Sequence, residues 1–202
     1  MSASMRAKHL HLDCFSGVAG DMFLGAMLDL GVPEDAVRAG LATIPLQGYE
    51  LQVSRTRRMG IEGCDVSVRV DPAAAQPPRT FGAIRELLRD AGLAPAVLAR
   101  ALDIFTRVAR AEAKVHGTSL EEVHFHEVGA VDSIVDIVGA AVALEYLDPV
   151  HVSARPVPLG HGSVRCAHGV MPVPAPATLE ILVGLPVEDG AAGVELCTPT
   201  GA

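Results

Sequence analysis

The sequence predicts a mixed α/β fold (α+β), in which a mixed sheet has helices packed against it. Half of the 202 residues are apolar, yet the chain has five Phe, two Tyr and no Trp. The core must therefore be built from Ala, Val, Leu and Ile, a composition that suits helices on a sheet. Segments with helical spacing also alternate with short apolar segments bounded by Gly and Pro. We expect residues 1–202 to form one compact unit, which is long enough to bury a substantial core.

The first part of the chain is predicted to contain strands and helices in alternation. Gly31 and Pro33 mark the end of the first helix, because glycine and proline follow helix C-termini. Two segments that alternate apolar and polar residues indicate a hairpin with one solvated face. The predicted elements are a strand at 9–14, a glycine turn at 15–20, a helix from about 21 to 31, a short helix at 34–43, and a hairpin of 49–57 with 64–70 turning at 59–63.

The second part begins with a Pro- and Ala-rich segment at about 71–79, which predicts a mobile loop. Beyond it, apolar residues recur at helical spacing in two long segments, and Gly117 closes the second of them. The predicted elements are helices at 80–91 and 95–115, an extended segment at 123–127, a helix at 130–146, short strands broken by Pro and Gly at 150–174, and a helix at 176–183.

Composition and charge exclude several classes of function. The formal net charge of −8 argues against a nucleic-acid partner. Four widely separated cysteines without a C-x-x-C pair indicate reduced thiols in a cytoplasmic protein. The N-terminal residues lack the apolar core of a signal peptide, and the longest apolar run, Ile137–Leu144, is too short to span a membrane. The sequence therefore predicts a soluble cytoplasmic protein.

The segment from Val123 to Gly139 contains the densest group of possible metal ligands. Side chains alternate along a strand, so His124 and His126 would share a face. On a helix from 130, two carboxylates would stand one turn apart on one side. The predicted divalent-metal ligands are His124, His126, Glu127, Asp132 and Asp136. This mixed nitrogen and oxygen set does not choose among nickel, zinc, iron and manganese. The alternative is that the histidines bond backbone groups while the aspartates cap the helix.

Two glycine-rich segments are candidates for holding a phosphate or carboxylate. The strand–turn–helix unit at 13–21 presents helix N–H groups that favour anions, with Ser16, Gly17, Gly20 and Asp21 as candidate residues. It matches neither common nucleotide-binding glycine motif. Asp21 has two other possible roles, as a cation ligand or as a helix cap, and capping is favoured.

The second segment, 158–169, carries metal-competent side chains and an arginine that suits a phosphate. Its candidate residues are His161, Arg165 and His168. A turn-rich surface segment with incidental histidines is an equally good interpretation. His9, His11 and His151 show no special spacing, and we leave them out of the predicted site.

Long motifs in these segments resemble a known family. They are L-D-C-F-S-G-x-x-G-D-M-x-L-G-A-x-x-D-L-G-V-P at 12–33, A-E-A-x-V-H-G at 111–117, H-F-H-E-V-G-A-V-D-S-I-V-D-I-V-G at 124–139, P-L-G-x-G-x-V-x-C-x-H-G-x-x-P-V-P-A-P-A-T-L-E at 158–180, and the final T-P-T-G-A. Together they are similar to the nickel-insertion proteins of nickel-pincer cofactor biosynthesis, and the likeness extends over nearly the whole chain.

The resemblance implies a lyase-type nickel chelatase. Such an enzyme inserts nickel into pyridinium-3,5-bisthiocarboxylic acid mononucleotide, forming carbon–nickel and sulfur–nickel bonds in a CTP-dependent reaction whose product serves lactate racemase. Full-length members carry a C-terminal domain, with which CTP and a Mn or Mg ion are associated. We therefore expect this chain to be the N-terminal nickel- and substrate-handling half. Many members have a histidine-rich tract where this chain has Gln76-Pro77-Pro78-Arg79, so we expect no metal storage there.

Two other functions remain open. The chain could be a non-catalytic module that holds the mononucleotide or forms a homo-oligomer while nickel is bound elsewhere. A metal-dependent hydrolase of phosphate esters ranks third, because no nucleophile–base pair is evident.

Overall fold

The computed structural model describes residues 8–74, 79–125, 131–166, 169–190 and 193–202. Helices and strands are interspersed along these ranges, and the predicted mixed α/β class is confirmed. The helices are α1 Gly20–Asp29, α2 Glu34–Leu41, α3 Phe81–Asp90, α4 Pro95–His116, α5 Val131–Leu147 and α6 Pro176–Ile181. The strands are β1 His9–Leu12, β2 Tyr49–Arg58, β3 Ile61–Val70, β4 Arg79–Thr80, β5 His124–Phe125, β6 His151–Ala154, β7 Val157–Leu159, β8 Gly162–Cys166, β9 Gly169–Val173 and β10 Val187–Asp189.

Within the described ranges, the strands pair as five two-stranded sheets and do not form one continuous sheet. β1 pairs with β6, and β7 with β10, in parallel; β2 with β3, β4 with β5, and β8 with β9 are antiparallel. Outside the β2–β3 hairpin each strand has at most five residues. Pro158 lies within β7 and Pro172 within β9, and a proline has no N–H to donate to a further strand. The helices therefore supply most of the core.

Helix α5 is the centre of the main core. It packs against α1, α2 and α4, and Ile134, Val135 and Val138 on it are fully buried. A helix that is apolar on nearly every side is expected to be surrounded by other elements. A smaller cluster of Val18, Leu182 and Cys197 lies under the C-terminal segment.

Helix α1 packs closely against α5 and against the β2–β3 hairpin, and a glycine lies at each of these two contacts. A Cβ at Gly139 of α5 would lie 2.9 Å from Leu24 Cδ2, and a Cβ at Gly25 would lie 2.9 Å from the Cys64 carbonyl oxygen of β3. At the end of α1, Asp29 Oδ2 accepts a hydrogen bond from the Cys64 N–H at 2.8 Å. These contacts position the N-terminus of α1 relative to that of α5.

Most predicted element boundaries agree with the structure, and the differences have physical causes. Gly117 caps α4 in the left-handed conformation (φ 64°) as predicted. The hairpin turn is shorter than predicted, because Met59 (φ 51°) and Gly60 (φ 85°) close it as two left-handed residues. Strand β10 was not predicted, since its three residues show no alternation long enough to detect.

The predicted mobile loop at about 71–79 lies partly outside the described residues, namely at 75–78. Its first residues form a turn in which the Asp71 carbonyl accepts from the Ala74 N–H at 3.0 Å, and Arg79 already belongs to β4. No described helix has the length and apolar character needed to cross a membrane.

Candidate metal and substrate site

A cavity of about 410 Å³ opens where α1 and α5 begin. The two helix N-termini meet β3 and the C-terminal turn there, so four separate parts of the chain contribute to its wall. Its volume lies within the range of roughly 300–1,000 Å³ typical of small-ligand sites. Its described lining consists of Ala19, Gly20, Asp21, Ser67, Val68, Asp132, Ser133, Asp136, Thr198 and Thr200.

Gly20 brings the two helices together at this cavity. A Cβ at position 20 would lie 2.7 Å from both Cβ and Oδ2 of Asp136, which is closer than non-bonded atoms approach. Only glycine therefore lets the first turn of α1 pack against the Asp136 side chain. As a result, the carboxylates of Asp21 and Asp132, each at the second residue of its helix, border the same space as that of Asp136.

The electrostatics of the cavity centre on Asp136. Burial, together with the carboxylates of Asp21 and Asp132, raises the pKa of Asp136 from 3.8 to about 7. Its Oδ1 atom is buried and makes no hydrogen bond to the described part of the chain. Leaving a buried carboxylate oxygen unpaired is costly, and a bound cation is one partner that relieves this cost.

Asp21 and Asp132 have equivalent positions at the two helix starts. Asp21 Oδ1 accepts from the Met22 N–H, and Asp132 Oδ1 from the Ser133 N–H, each at 2.7 Å. The positive end of the helix dipole favours a carboxylate at such positions. Asp21 is not the N-cap of α1, contrary to the favoured prediction: Ala19 occupies that position, and no side chain caps the helix.

The C-terminal turn adds hydroxyl groups that the predicted site did not include. The Oγ1 atoms of Thr198 and Thr200 are hydrogen-bonded at 3.1 Å, and Thr198 Oγ1 also accepts a hydrogen bond from the Gly201 N–H at 3.2 Å. The turn is attached to the residues before α1, because the Thr198 N–H donates to the Val18 carbonyl at 3.3 Å. The T-P-T-G-A motif is the sequence feature that contains these hydroxyls, but nothing in its spacing indicates that it lies beside α1.

The glycine turn before α1 serves chain packing more than anion binding. Gly17 has φ +106°, and a side chain there would clash with the Leu196 carbonyl. The Gly17 N–H donates to Cys14 O at 2.9 Å, and the Val18 N–H to Leu196 O at 2.7 Å. These two N–H groups are therefore already used within the protein. Ser16 is exposed and is not among the described residues that line the cavity.

The other predicted residues lie apart from this cavity or outside the described residues. His124 is exposed and Phe125 is buried, and the shared face of His124 and His126 stays a prediction. His124 is not among the described residues lining the cavity, and neither are His161 and Arg165, which are exposed on or beside β8. The remaining predictions lie outside the described residues: His126, Glu127 and His168.

The described residues do not form a ready-made metal site. In those ranges no group of three or more His, Cys, Asp or Glu side chains has the arrangement needed to hold an ion. The structure brings Gly20 and Asp21, from the predicted segment 13–21, together with Asp132 and Asp136 of α5. Asp21, predicted as a substrate residue, thus joins the predicted metal ligands on one cavity wall.

Comparisons with known proteins agree with the resemblance noted from the motifs. The family model described as "Nickel insertion protein" matches residues 10–202. A "Putative nickel insertion protein" of Syntrophotalea carbinolica is 52% identical over 193 residues, which cover 96% of this chain and 48% of that protein. The "Pyridinium-3,5-bisthiocarboxylic acid mononucleotide nickel insertion protein" of Geobacillus kaustophilus is 48% identical over 203 residues, covering 96% of this chain and 49% of that protein.

This chain therefore spans about half the length of the curated relatives it matches. No solved structure matches it. The extent of the family match and the level of identity show that the chain belongs to the nickel insertion protein family.

Proposed function

We propose that this chain is the nickel- and substrate-handling half of a protein that inserts nickel into pyridinium-3,5-bisthiocarboxylic acid mononucleotide. The observation that carries the proposal is the meeting of Asp21, Asp132 and Asp136 at one cavity in a member of the nickel insertion family. The Geobacillus kaustophilus relative bears that substrate in its name. Nickel is here the ion delivered to the substrate.

The carboxylates suit the metal end of the reaction. Asp132 and Asp136 are the predicted oxygen ligands, and Asp21 adds a third carboxylate to the same cavity. Three acidic groups attract a divalent cation and repel a phosphate. Oxygen ligands also hold nickel less strongly than thiolates would, which favours passing the ion on to the sulfur atoms of the substrate. His124, His126 and Glu127 remain proposed further ligands.

The substrate's phosphate needs a different location, because no described residue of the cavity lining carries a positive charge. Arg165 and His161, with His168, remain the proposed phosphate-binding residues. Ser16 and Gly17 are weaker candidates, since the N–H groups of Gly17 and Val18 donate to backbone carbonyls. Seryl and threonyl hydroxyls at the cavity suit the substrate's polar carboxylate and thiocarboxylate groups.

The proposal extends to the rest of the reaction. CTP, with its Mn or Mg ion, would act with a C-terminal half, in keeping with the coverage of about half of each relative. The overall reaction would be that of a cytoplasmic lyase supplying the cofactor of lactate racemase-type enzymes.

Nickel binding by the tag-free chain tests this function. Calorimetric titration should give an equivalent of Ni²⁺ that is lost in the double variant D132N/D136N. The matched control is D35N/D90N, which likewise exchanges two aspartates for asparagines. Asp35 lies in the first turn of α2 as Asp132 does in that of α5, and Asp90 is exposed at the end of α3. If the D132N/D136N variant binds as much nickel as wild type and as tightly, the cavity is not the nickel site.

In that event, the alternative of a substrate-binding or oligomerisation module gains support. For the hydrolase alternative, Cys14, Cys64 and Cys197 are poor nucleophiles, because burial raises the pKa of each thiol, that of Cys197 to about 12. Release of phosphate from generic esters with added Mn²⁺ or Zn²⁺ would nevertheless revive it.

A further inference from the structure

Three histidines, two of them on β1 and one on β6, meet on one face of the β1–β6 pair. The parallel register places His9 opposite His151 and His11 opposite Ser153. Side chains two apart on a strand share a face, as do side chains directly opposite each other. The three imidazoles and the Ser153 hydroxyl therefore project from the same side of this small sheet. The other side carries Leu10, which belongs to the main core.

The imidazole rings are close to one another. The ring centroids of His9 and His151 are 4.8 Å apart, and those of His9 and His11 are 6.4 Å apart. Ser153 Oγ lies 2.7 Å from His9 Nε2 and 2.9 Å from His11 Nδ1. His9 Nε2 and His11 Nδ1 therefore contact the same oxygen atom and lie close to each other. All three histidines are exposed, so an ion from solution can reach them without crossing the core.

The shared hydroxyl holds one nitrogen of each ring beside the same oxygen atom. A serine hydroxyl can donate its one proton to an imidazole nitrogen, and its oxygen can accept from an imidazole N–H. Both contacts are therefore of a kind that a metal ion can replace. His151 contributes a third ring, which makes no hydrogen bond to the described part of the chain and contacts His9 edge to face. Neutral imidazole is the most common protein ligand of borderline transition metals.

We propose that His9, His11 and His151 form a surface site for a divalent transition-metal ion of the Ni²⁺, Cu²⁺, Co²⁺ and Zn²⁺ class. The site is separate from the carboxylate cavity, whose described lining contains none of the three histidines. It does not rest on the proposed function. If both sites exist, the surface site collects the ion from solution and the cavity holds it for the reaction.

The bound arrangement requires a change of side-chain rotamers. As the rings stand, no described set of three side chains converges on an ion. The metal–nitrogen distance in such sites is about 2.0–2.1 Å, so two ligating nitrogens lie within ~4 Å of each other. Rotation of exposed rings about χ1 and χ2, which is fast for such side chains, brings the nitrogens together. The ion then replaces the Ser153 hydroxyl as the partner of His9 and His11.

The test is metal binding by the tag-free chain and its variants at neutral pH. Calorimetric titration with Ni²⁺ should show one equivalent fewer in H9A/H11A and in H151A than in wild type. The control H116A removes an exposed histidine on α4 and should keep the full stoichiometry. D132N/D136N should also keep this equivalent, which separates the two sites. Electron paramagnetic resonance with Cu²⁺ should show nitrogen hyperfine coupling in wild type and its loss in H9A/H11A.

Circular dichroism melts confirm that each variant is folded. S153A is expected to retain the equivalent, because the hydroxyl competes with the metal for the rings and does not bind it. Unchanged nickel stoichiometry in both H9A/H11A and H151A would overturn the proposal, and so would loss of the equivalent in S153A. Loss of this equivalent in D132N/D136N would show that the two sites are one, and would overturn it as well.

Discussion

Asp136 is a carboxyl group enclosed by two helix starts. Its neighbours are the backbone of Gly20 and the carboxylates of Asp21 and Asp132, and its Oδ1 atom makes no hydrogen bond to any described group. The pKa of about 7 follows from burial first and from the two like charges second. Near neutral pH, the group therefore exists partly as the acid and partly as the anion.

This shift in pKa makes the stability of the metal-free protein depend on pH. A carboxyl whose pKa is higher in the folded than in the unfolded state stabilises the fold at low pH, and this contribution disappears as pH rises through about 7. Between pH 5 and pH 8 the free energy of unfolding should fall by roughly 2–3 kcal/mol more in wild type than in D136N. Urea unfolding at both pH values in the presence of a chelator measures this difference.

The variant D35N serves as the control for the loss of one helix-start carboxylate and should keep the wild-type pH dependence. Equal pH dependence in wild type and D136N would show that Asp136 does not hold its proton in the folded protein.

Gly20 is the residue that sets the spacing of α1 and α5. In Gly20→Ala, the new methyl group would meet Asp136 at 2.7 Å, so the helices must move apart. Overpacking of this kind costs about 1–3 kcal/mol of unfolding free energy, although alanine favours a helix more than glycine does. Chemical denaturation measures the cost. Gly92→Ala, where the nearest atom would be Thr43 Cβ at 3.9 Å, should lose little or nothing.

Secondary-structure elements whose signals are local could be predicted well from the sequence. The five longest helices begin and end within about two residues of their predicted bounds, because the 3.6-residue period and the Gly and Pro signals lie inside each segment. Strand partners could not be predicted in the same way. The pairing of β7 with β10 joins two three-residue strands, and no pattern in so few residues specifies a partner.

The C-terminal turn is an element whose hydroxyls hold it in shape. Thr198→Val keeps the side-chain volume but removes the contacts with Thr200 Oγ1 and the Gly201 N–H. We expect the free energy of unfolding to fall by about 1 kcal/mol, because two side-chain contacts of the turn are lost, while the Gly201 N–H keeps its bond to the Thr198 carbonyl at 3.0 Å. Thr118→Val is a control, because the Thr118 hydroxyl makes no hydrogen bond to the described residues. Identical losses in both variants would mean that the turn's hydroxyls do not stabilise it.

At the scale of the whole molecule, both candidate sites depend on contacts between distant segments. The sequence placed Asp132 and Asp136 on one side of a helix, but it gave no reason to bring Asp21 to them, because the crossing of α1 and α5 is set by tertiary packing. The same limitation hid the group of His9, His11 and His151. His9 and His11 stand two residues apart on one strand, but His151 joins them only through the parallel pairing of β1 with β6.

Nickel should stabilise the folded chain by mass action if the carboxylate cavity binds it. At a free Ni²⁺ concentration 100 times the Kd, one site adds about 2.7 kcal/mol to the free energy of unfolding. The thermal midpoint should rise with nickel in an H9A/H11A background, which removes the proposed surface site. It should stay constant when D132N/D136N is added to that background. A rise of equal size in both proteins would place the nickel outside both sites.

The parallel pairing of β1 with β6 also affects how the chain is made. His11 contacts Ser153 across 142 positions of sequence, and Val18 bridges to Cys197 near the opposite end. During translation, the first strand therefore leaves the ribosome well before its partner has been synthesised. Loop closure of this length slows folding and leaves strand edges exposed meanwhile. The backbone groups of β1 that bond to β6 therefore lack that partner until residues 151–154 have been synthesised.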